Sequence, residues 1–367
     1  LRLEPTSGGY MVVPQADASA NSADLAFRKD LALRYKMLAA RIDLETGKHY
    51  AATDSLRAEL PANAKNGTLL GYTANAENFV GRWKRALRLL DEAGAIMPEN
   101  EDIQTLRRDI RRVHSEHAKI DYEWFKIGDS RQNIWTASGL KFVDNEWEVG
   151  GNVQYNRLKA KSIRRVDGRF GNFNENLTRA EVFVAKETDE GTRIQGSLFA
   201  NNDFAGAGLY YGWYNDLGRT QVYGEYHRPN WDFVEGIIDS AVRDRIGVNH
   251  TIQVDPLWTV SGGLALNRYH VDQKSNVADT ISVNGSVTRQ LKEVNPYLAL
   301  NYALDGEYRT DDDTYSDPFG VSYIPLMDSR EVHTISLIAA QELSEDTMGT
   351  LQVGYSYDRL TDANGPL

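Results

Sequence analysis

Histidines are the first candidates for chemistry in this sequence, because imidazole is the side chain that serves most often as a general base. His227, His250, His270 and His333 lie in or beside segments whose residues alternate in polarity. A serine–histidine pair would also need an activated nucleophile, and the chain has no G-x-S-x-G motif, no H-E-x-x-H motif and no P-loop. We therefore expect these histidines to make ordinary contacts at strand ends, and we expect no enzyme activity.

Two charged loops are the next candidates. The carboxylates of Asp311–Asp313, together with Asp317, could bind calcium. Neither a glycine nor a bidentate glutamate follows at EF-hand spacing, so a solvated acidic loop is the better interpretation. Arg164–Arg165 and Arg169 make an earlier loop basic, and that loop would either contact anionic lipopolysaccharide or fold into the interior. Because the chain has no cysteine, thiolate sites are excluded, and we expect neither a metal nor a cofactor.

The secondary structure around these residues can be predicted from the spacing of apolar residues, which changes along the chain. From Lys119 onward, apolar and polar residues alternate in short segments, as in Glu146–Tyr155, Ile281–Thr288 and Gly349–Tyr357. Alternation of this kind is typical of strands with one apolar and one polar face. The segments have the length of membrane-barrel strands, so we predict a transmembrane antiparallel β-barrel of about 16 strands, incomplete in this chain.

The connections between these segments alternate in length. We predict short turns at Asp144–Asn145, Asp189–Gly191, Asp216–Gly218, Asp255–Pro256, Glu293–Asn295 and Ser344–Asp346, and long loops at Lys159–Asn176, Pro229–Val242, His270–Ala278 and Arg309–Ser329. Outer-membrane barrels have tight periplasmic turns and long outer loops. The first strand begins on the side of the short turns, which predicts that the N-terminal segment lies in the periplasm.

The polar positions of the strands form the largest set of candidate functional residues. In a membrane barrel the polar face lines the interior. We predict that the following carboxylates line a translocation path: Glu146, Glu148, Glu181, Glu225, Asp305, Glu307, Glu342 and Asp358. They outnumber the arginines predicted to face inward, Arg179, Arg193 and Arg245, which favours cations in a narrow channel. The alternative is that these charges pair with one another and fill a small barrel. We expect Glu225, Asp305 and Glu307 to lie on different strands, where one partner could not reach all three.

Helical periodicity replaces the alternation in the first third of the chain. We predict helices over 23–45, 50–60, 79–96 and 101–117, within a helical segment 1–118 that precedes a barrel over 119–367. Gly47, Ala52 and Leu56 recur 34 positions later as Gly81, Ala86 and Leu90, which is the period of the tetratricopeptide repeat. The consensus tryptophan and tyrosine of that repeat are missing, so an unrelated helical bundle is the alternative.

Bulk composition limits the class of protein. The chain has 367 residues and a net charge of −11, which argues against nucleic acid as a partner. No stretch approaches the roughly 20 apolar residues of a membrane-spanning helix.

Because residues 1–10 lack the features of a signal peptide, we expect an export signal upstream. Because Gly349–Tyr357 has no return strand after it, we expect further residues there too.

Helical repeats of this period that run directly into a barrel resemble the exopolysaccharide export porins of Pel and poly-N-acetylglucosamine secretion. The repeated Gly-Ala-Leu positions and the alternation of strands and turns carry this resemblance, which extends over the whole chain as architecture. It implies that the repeats form a periplasmic scaffold for polysaccharide-modifying enzymes or an outer-membrane lipoprotein, and that the barrel passes the polymer outward. Such polymers are partly deacetylated and cationic, in agreement with an acidic lumen; the Pel type is slightly favoured.

Three hypotheses follow from these observations. The first is a passive outer-membrane porin for a cationic amino-sugar exopolysaccharide used in biofilm formation, surrounded by outer-membrane lipids. The second is a barrel for protein or lipoprotein surface export, and conductance blocked by cationic oligosaccharides would distinguish the two. The third is a soluble all-β binding module with a helical adaptor, which extraction without detergent would reveal.

Overall fold

The structure is a computed structural model. It describes residues 2–6, 9–13, 22–127, 129–144, 146–164, 169–215, 217–231, 234–255, 257–271, 274–292, 294–310, 315–316, 322–323, 328–344 and 347–366. The predicted acidic loop Asp311–Asp313 with Asp317 lies outside the described residues, as do Asn145, Arg165 and Pro256.

Five helices follow a short hairpin of β1 (Arg2–Thr6) and β2 (Gly9–Val13). They are α1 (Ser22–Glu45), α2 (His49–Glu59), α3 (Gly67–Phe79), α4 (Trp83–Ile96) and α5 (Glu101–Val113), with a 3-10 turn at Leu60–Ala62 after α2. Helix α3 was not predicted from the sequence, because its glycines and threonines have low helix propensity. Packing overrides that propensity: Leu69, Leu70 and Ala74 of α3 are fully buried. None of the described helices combines the length and the apolar character that crossing a membrane requires.

Residues 34 positions apart have the same structural role in successive helix pairs. Gly47 and Gly81 both adopt positive φ, at 82° and 76°, in the turns α1–α2 and α3–α4. Ala52, Leu56, Ala86 and Leu90 are all buried. Asn66 and Asn100 are also 34 positions apart and equivalent, which was not predicted from the sequence. Their side chains cap α3 and α5 by accepting hydrogen bonds from the backbone N–H groups of Leu69 and Ile103, at 3.0 and 3.1 Å. The repeat therefore continues into α5.

The packing between units repeats as well. Leu69 and Ala76 of α3 lie in one apolar cluster with α2. Their equivalents Ile103 and Ile110 of α5 lie in the next cluster with α4. The corresponding residues of α1, Tyr35 and Ile42, are 66% and 52% exposed. The outer face of α1 thus has residues at the positions that α3 and α5 use to pack against the preceding helix pair, but in α1 they are exposed.

A fourteen-stranded antiparallel sheet follows α5 after only three residues, 114–116. Its strands are β3 (His117–Ile127), β4 (Ser130–Phe142), β5 (Trp147–Arg164), β6 (Phe170–Glu187), β7 (Arg193–Asn201), β8 (Ala205–Asn215), β9 (Gly218–Pro229), β10 (Val242–Asp255), β11 (Trp258–Val271), β12 (Lys274–Lys292), β13 (Tyr297–Arg309), β16 (Arg330–Ser344), β17 (Thr347–Asp358) and β18 (Asn364–Pro366). Two short strands, β14 (Tyr315–Ser316) and β15 (Ser322–Tyr323), pair with each other between β13 and β16.

The sheet curls into a nearly closed barrel. Apart from β14 and β15, strands that follow each other in the chain are neighbours in the sheet, and the Cα atoms of β18 and β3 come within 8 Å of each other at the seam. The mainly β fold with a helical N-terminal segment is therefore confirmed, whereas the predicted strand number of sixteen is wrong for the described residues. After Gly349–Tyr357 the chain turns back into β18, a three-residue strand that pairs with β17.

The barrel turns its apolar face outward. Leu266 on β11 is 58% exposed, and Leu264, Leu300 and Val353 are exposed on their own strands. The inward positions between them hold polar residues such as Asn267, which is buried. This arrangement is the reverse of a water-soluble barrel, whose core is apolar.

The loop prediction is correct in part. At the end of the barrel nearest the helices, called the helical end, all turns are short. At the opposite end, called the far end, 230–241 and 310–329 are long as predicted. Lys159–Asn176 and His270–Ala278 are instead mostly strand, because β5 and β6 pair as far as Arg164, and β11 pairs with β12 as far as Val271. Charged side chains in these segments do not prevent backbone pairing.

Candidate functional site

Seven of the eight carboxylates predicted to line the interior lie at inward positions of their strands. They are Glu148, Glu181, Glu225, Asp305, Glu307, Glu342 and Asp358, as the strand register shows. Glu146 lies instead in the turn before β5. The Asp144 carboxylate accepts from the backbone N–H groups of Glu146 and Trp147, at 2.7 and 2.8 Å, which holds the turn and delays the strand. The Glu146 carboxylate pairs with Lys186, 2.8 Å away.

Most of these inward carboxylates have a guanidinium partner. Glu148 pairs with Arg193, and Glu225 pairs with Arg228, which also lies 3.5 Å from Glu181. Pairs of this kind reduce the net field of the interior. These carboxylates and guanidinium groups therefore neutralise one another.

Arg330 is a shared partner of two carboxylates that were expected to lie on different strands. Asp305 and Glu307 both lie on β13, not on different strands, and their carboxylates are 3.6 and 3.8 Å from the same guanidinium of Arg330. Glu307 is nearly fully buried and also accepts from the hydroxyls of Tyr269 and Thr280. One shared cation thus links two groups that the sequence suggested were independent.

Four arginines that were not predicted to face inward also line the barrel. Arg219, Arg228, Arg243 and Arg330 join Arg179, Arg193 and Arg245 there. All except Arg330 come from β6–β10, where Arg219 and Arg245 lie over the rings of Tyr214 and Tyr223, at 5.7 and 5.4 Å. The carboxylate excess is smaller than predicted, and positive charge is concentrated on one wall.

The loop 230–241 folds into the interior at the far end. Its helix α6 (Val234–Ile238) packs Val234, Ile237 and Ile238 against the inward side chains of Leu158 and Ala160 on β5. The ring of Trp231 lies 4.8 Å from the guanidinium of Arg179. This loop narrows the interior at the far end. The sequence does contain a signal for this insertion: the loop, which was expected to be polar, has an apolar Val-x-x-Ile-Ile run.

An interior cavity of 330 Å³ lies beside this loop. It is lined by inward residues of β3–β7 and by the end of β9: Asp121, Glu123, Thr136, Ser138, Asn152, Gln154, Arg179, Glu181, Phe199, Arg228 and Pro229. Its wall therefore combines carboxylates, guanidinium groups, hydroxyls and amides. We call it the interior cavity.

The helices dock onto the helical end of the barrel through α4. Trp83 donates from its indole N–H to the carboxylate of Glu187, 2.6 Å away, and Arg88 makes a two-pronged pair with Asp189, at 2.8 and 3.1 Å. The bond from Arg88 lowers the pKa of the Asp189 carboxyl. Gly81 lies against the ring of Tyr214, so closely that a Cβ would overlap it. The turn glycine of the repeat thus also makes room for the barrel.

His114 closes the junction between α5 and β3. Its ring stacks on Trp83 with centroids 4.4 Å apart and planes 6° from parallel. Burial lowers the pKa of His114 to about 4, and the nearby Arg219, Arg193 and Lys84 act in the same direction. The histidine is therefore neutral at physiological pH.

Two adjoining cavities lie between the helices and the barrel. One, of 510 Å³, lies along α1, α3 and α5; the other, of 530 Å³, lies between the α1–α2 turn and the ends of β8–β11. They share His49, Phe79 and Gln253, and the second reaches the inward residues Arg219 and Thr251. Together they form what we call the entry groove, which leads from the helices to the mouth of the barrel.

The histidines make the ordinary contacts expected of them. His227 and His270 stack at 5.3 Å and share the carboxylate of Asp244, at 3.2 and 3.0 Å. The Nδ1 atom of His250 lies 2.9 Å from the hydroxyl of Thr220, and His333 bonds to Glu331 and Tyr302. Within the described ranges, no group of three or more metal-ligating side chains could hold an ion.

Compared with protein-family models and with curated proteins, the sequence matches none.

Proposed function

We propose that this chain is an outer-membrane porin that exports an amino-sugar polysaccharide, with its helices in the periplasm as tetratricopeptide-type scaffold. The observation that carries the proposal is the entry groove. Its two cavities join at Gln253 and connect a concave helical surface to inward-facing residues of the barrel. A chain-like substrate needs such a continuous path, whereas a small solute does not.

The outward face of the barrel supports a membrane location. A large apolar side chain left in water forfeits roughly 1.5–3 kcal/mol of burial free energy. Leu209, Ile246, Leu266 and Leu351 are exposed on four different strands, so a continuous apolar belt would face solvent in a soluble protein. Hydrocarbon around the barrel would cover this belt, as in outer-membrane barrels.

The equivalences at 34 positions support the tetratricopeptide assignment. Two buried Ala-x3-Leu pairs, two positive-φ glycines and two asparagine caps recur at this interval. Repeats of this type stack into a concave surface that suits extended ligands and partner proteins. On this reading a polysaccharide-modifying enzyme would deliver the polymer to the helices.

The interior chemistry suits a hydroxyl-rich polymer that carries some positive charge. Hydroxyl and amide side chains such as Ser282, Asn284 and Gln352 line the wall between the charged groups. They can exchange hydrogen bonds with a sugar at little cost as it moves. Because most inward arginines lie on β6–β10, the opposite wall is less positive, and ammonium groups would pass along it.

Planar-bilayer conductance of the purified full chain tests the proposal. A glucosamine oligomer should block the current, and it should enter faster from the helical side. The Gln253→Trp variant, which fills the junction of the entry groove, should slow this block. Gln290→Trp is the matched control, because Gln290 faces inward on β12 outside the groove.

Two results would overturn the proposal. One is recovery of the chain from cells in the aqueous fraction without detergent. The other is a conducting barrel whose current no amino-sugar oligomer affects, which would favour a protein cargo.

A further inference from the structure

We propose that the interior cavity is a subsite that binds one amino-sugar unit of the polymer, with the free ammonium of that unit against Glu123. This inference rests on the proposed function and specifies where the substrate is held. The cavity lies about midway along β3–β7, on the inward side, with Pro229 at the base of the inserted loop as part of its wall. A volume of 330 Å³ suits a single saccharide unit.

The neutral lining offers what sugar hydroxyls require. Thr136 and Ser138 on β4, and Asn152 and Gln154 on β5, present hydroxyl and amide groups to the cavity. The amide nitrogen of Gln154 donates to the Thr136 hydroxyl, at 3.1 Å. The Gln154 carbonyl oxygen is buried and has no hydrogen-bond partner among the described residues. A buried acceptor without a partner costs free energy, and a donor from a bound sugar would satisfy it.

An apolar patch complements these polar groups. Phe199 is 4% exposed and forms one side of the cavity together with Pro229. The guanidinium of Arg228 covers its ring at 4.7 Å, which keeps the aromatic face fixed. Sugar rings have both apolar C–H faces and polar edges, so a cavity with both kinds of wall fits a sugar better than a simple ion.

The charges of the cavity indicate which sugar fits. Asp121 pairs with Lys119 at 2.7 Å, and Glu181 pairs with Arg228 at 3.5 Å. Glu123 lines the same cavity and has neither an ion pair nor a hydrogen bond among the described residues. An ammonium group of a deacetylated unit would supply the missing partner, whereas an N-acetylated unit would not.

Block of single-channel current measures the occupancy of this subsite. The probes are the tetramers of glucosamine and of N-acetylglucosamine, applied to the reconstituted full chain at low and high potassium chloride. Glu123→Gln should weaken block by the amine tetramer roughly two- to fivefold at low salt, and less at high salt, because a partly exposed ion pair is lost and is screened. Block by the acetylated tetramer should not change.

Two further variants sharpen the test. Gln154→Leu preserves the side-chain volume but removes the free acceptor, so it should weaken block by both tetramers alike. Glu92→Gln removes the same charge from an exposed position of α4 and is the matched control, which should match the wild type. Heat-modifiable gel mobility confirms that each variant has assembled its barrel.

The possible failures can be told apart. If the amine tetramer blocks the wild type and Glu123→Gln equally, the subsite is wrong while the proposed function stands. If Glu123→Gln weakens block by both tetramers to the same extent, the ammonium assignment is wrong. If neither tetramer blocks the wild-type barrel, the subsite and the proposed function both fall.

Discussion

The helical segment and the barrel use the same amino-acid classes in opposite places. In the helices, Leu56 and Leu90 are buried among small residues, and most charged side chains lie outside, with the buried Glu77, paired with Arg57, as an exception. In the barrel, leucines such as Leu264 face outward, while carboxylates and guanidinium groups face one another inside. A sequence pattern therefore determines the two faces of an element, whereas the surroundings of the element determine which face is buried.

The largest expected effect lies in the helical segment. Leu90→Ala should destabilise the α3–α5 unit by about 2–5 kcal/mol, because it removes buried apolar contacts and enlarges a cavity within the cluster. Hydrogen exchange of the full chain measures this as faster exchange of α3–α5 amides. The matched change on the barrel, Leu266→Ala, should cost less, since its side chain packs against no protein core. Equal losses at both positions would contradict the comparison.

A charge on the outer face of the barrel should be nearly as costly. Leu264→Arg should destabilise the barrel by about 2–4 kcal/mol if this position faces the bilayer interior. Asn284, which pairs with Gly263 on the inward side, should accept arginine with little loss. Urea unfolding in lipid vesicles compares the two. Similar tolerance at both positions would remove the membrane assignment while leaving the strand register intact.

Acid should loosen the junction of the two regions before it affects either one. Because burial depresses the pKa of His114 to about 4, the folded junction favours the neutral imidazole. The resulting stability is present above the ordinary pKa of about 6.5 and is lost as the pH falls toward 4, with an upper limit of about 3 kcal/mol.

The fluorescence of Trp83, which stacks on His114, should report this transition. His114→Phe keeps a stacking ring without a titratable group and serves as the control. A transition of the same size in this variant would show that another group is responsible.

The smallest effect is expected at the exposed docking pair. Arg88→Ala removes the two-pronged bond to Asp189 and should cost roughly 0.2–1 kcal/mol, because exposed ion pairs are screened by solvent and salt. Trp83→Ala removes the indole bond to Glu187 and the stack on His114, so it should loosen the junction more. Limited proteolysis at residues 114–116 ranks the two variants, and the reverse order would mean that charge, not packing, holds the junction.

Much of the fold followed from spacing alone. Alternation placed seven of the eight predicted carboxylates inward, and the interval between Gly47 and Gly81 identified the repeat. These features depend on local periodicity, which a sequence contains directly. Glu146 was misplaced because one aspartate side chain, that of Asp144, extends the turn by hydrogen bonds that periodicity does not record.

The charge pairing could not be predicted in the same way. Arg228 pairs with Glu225, three residues earlier on its own strand, and it reaches Glu181 only because the curved sheet brings β9 and β6 close on the inward side. The β9–β10 ladder has a bulge nearby, between Arg243 and Arg245. Likewise, the interior cavity draws residues from six strands, so its existence depends on the curvature of the whole sheet. Helix α3 was missed for a third reason: packing, not propensity, makes it helical.

The three-residue connection between α5 and β3 has a mechanical consequence. Residues 114–116 can span no more than about 11 Å when fully extended, and His114 is held against Trp83. The helices therefore cannot swivel as a loose tether would allow, and any pull or twist on them is transmitted directly to β3. Because β3 is also the strand at the seam with β18, a load applied to the helices acts on the least connected edge of the barrel wall.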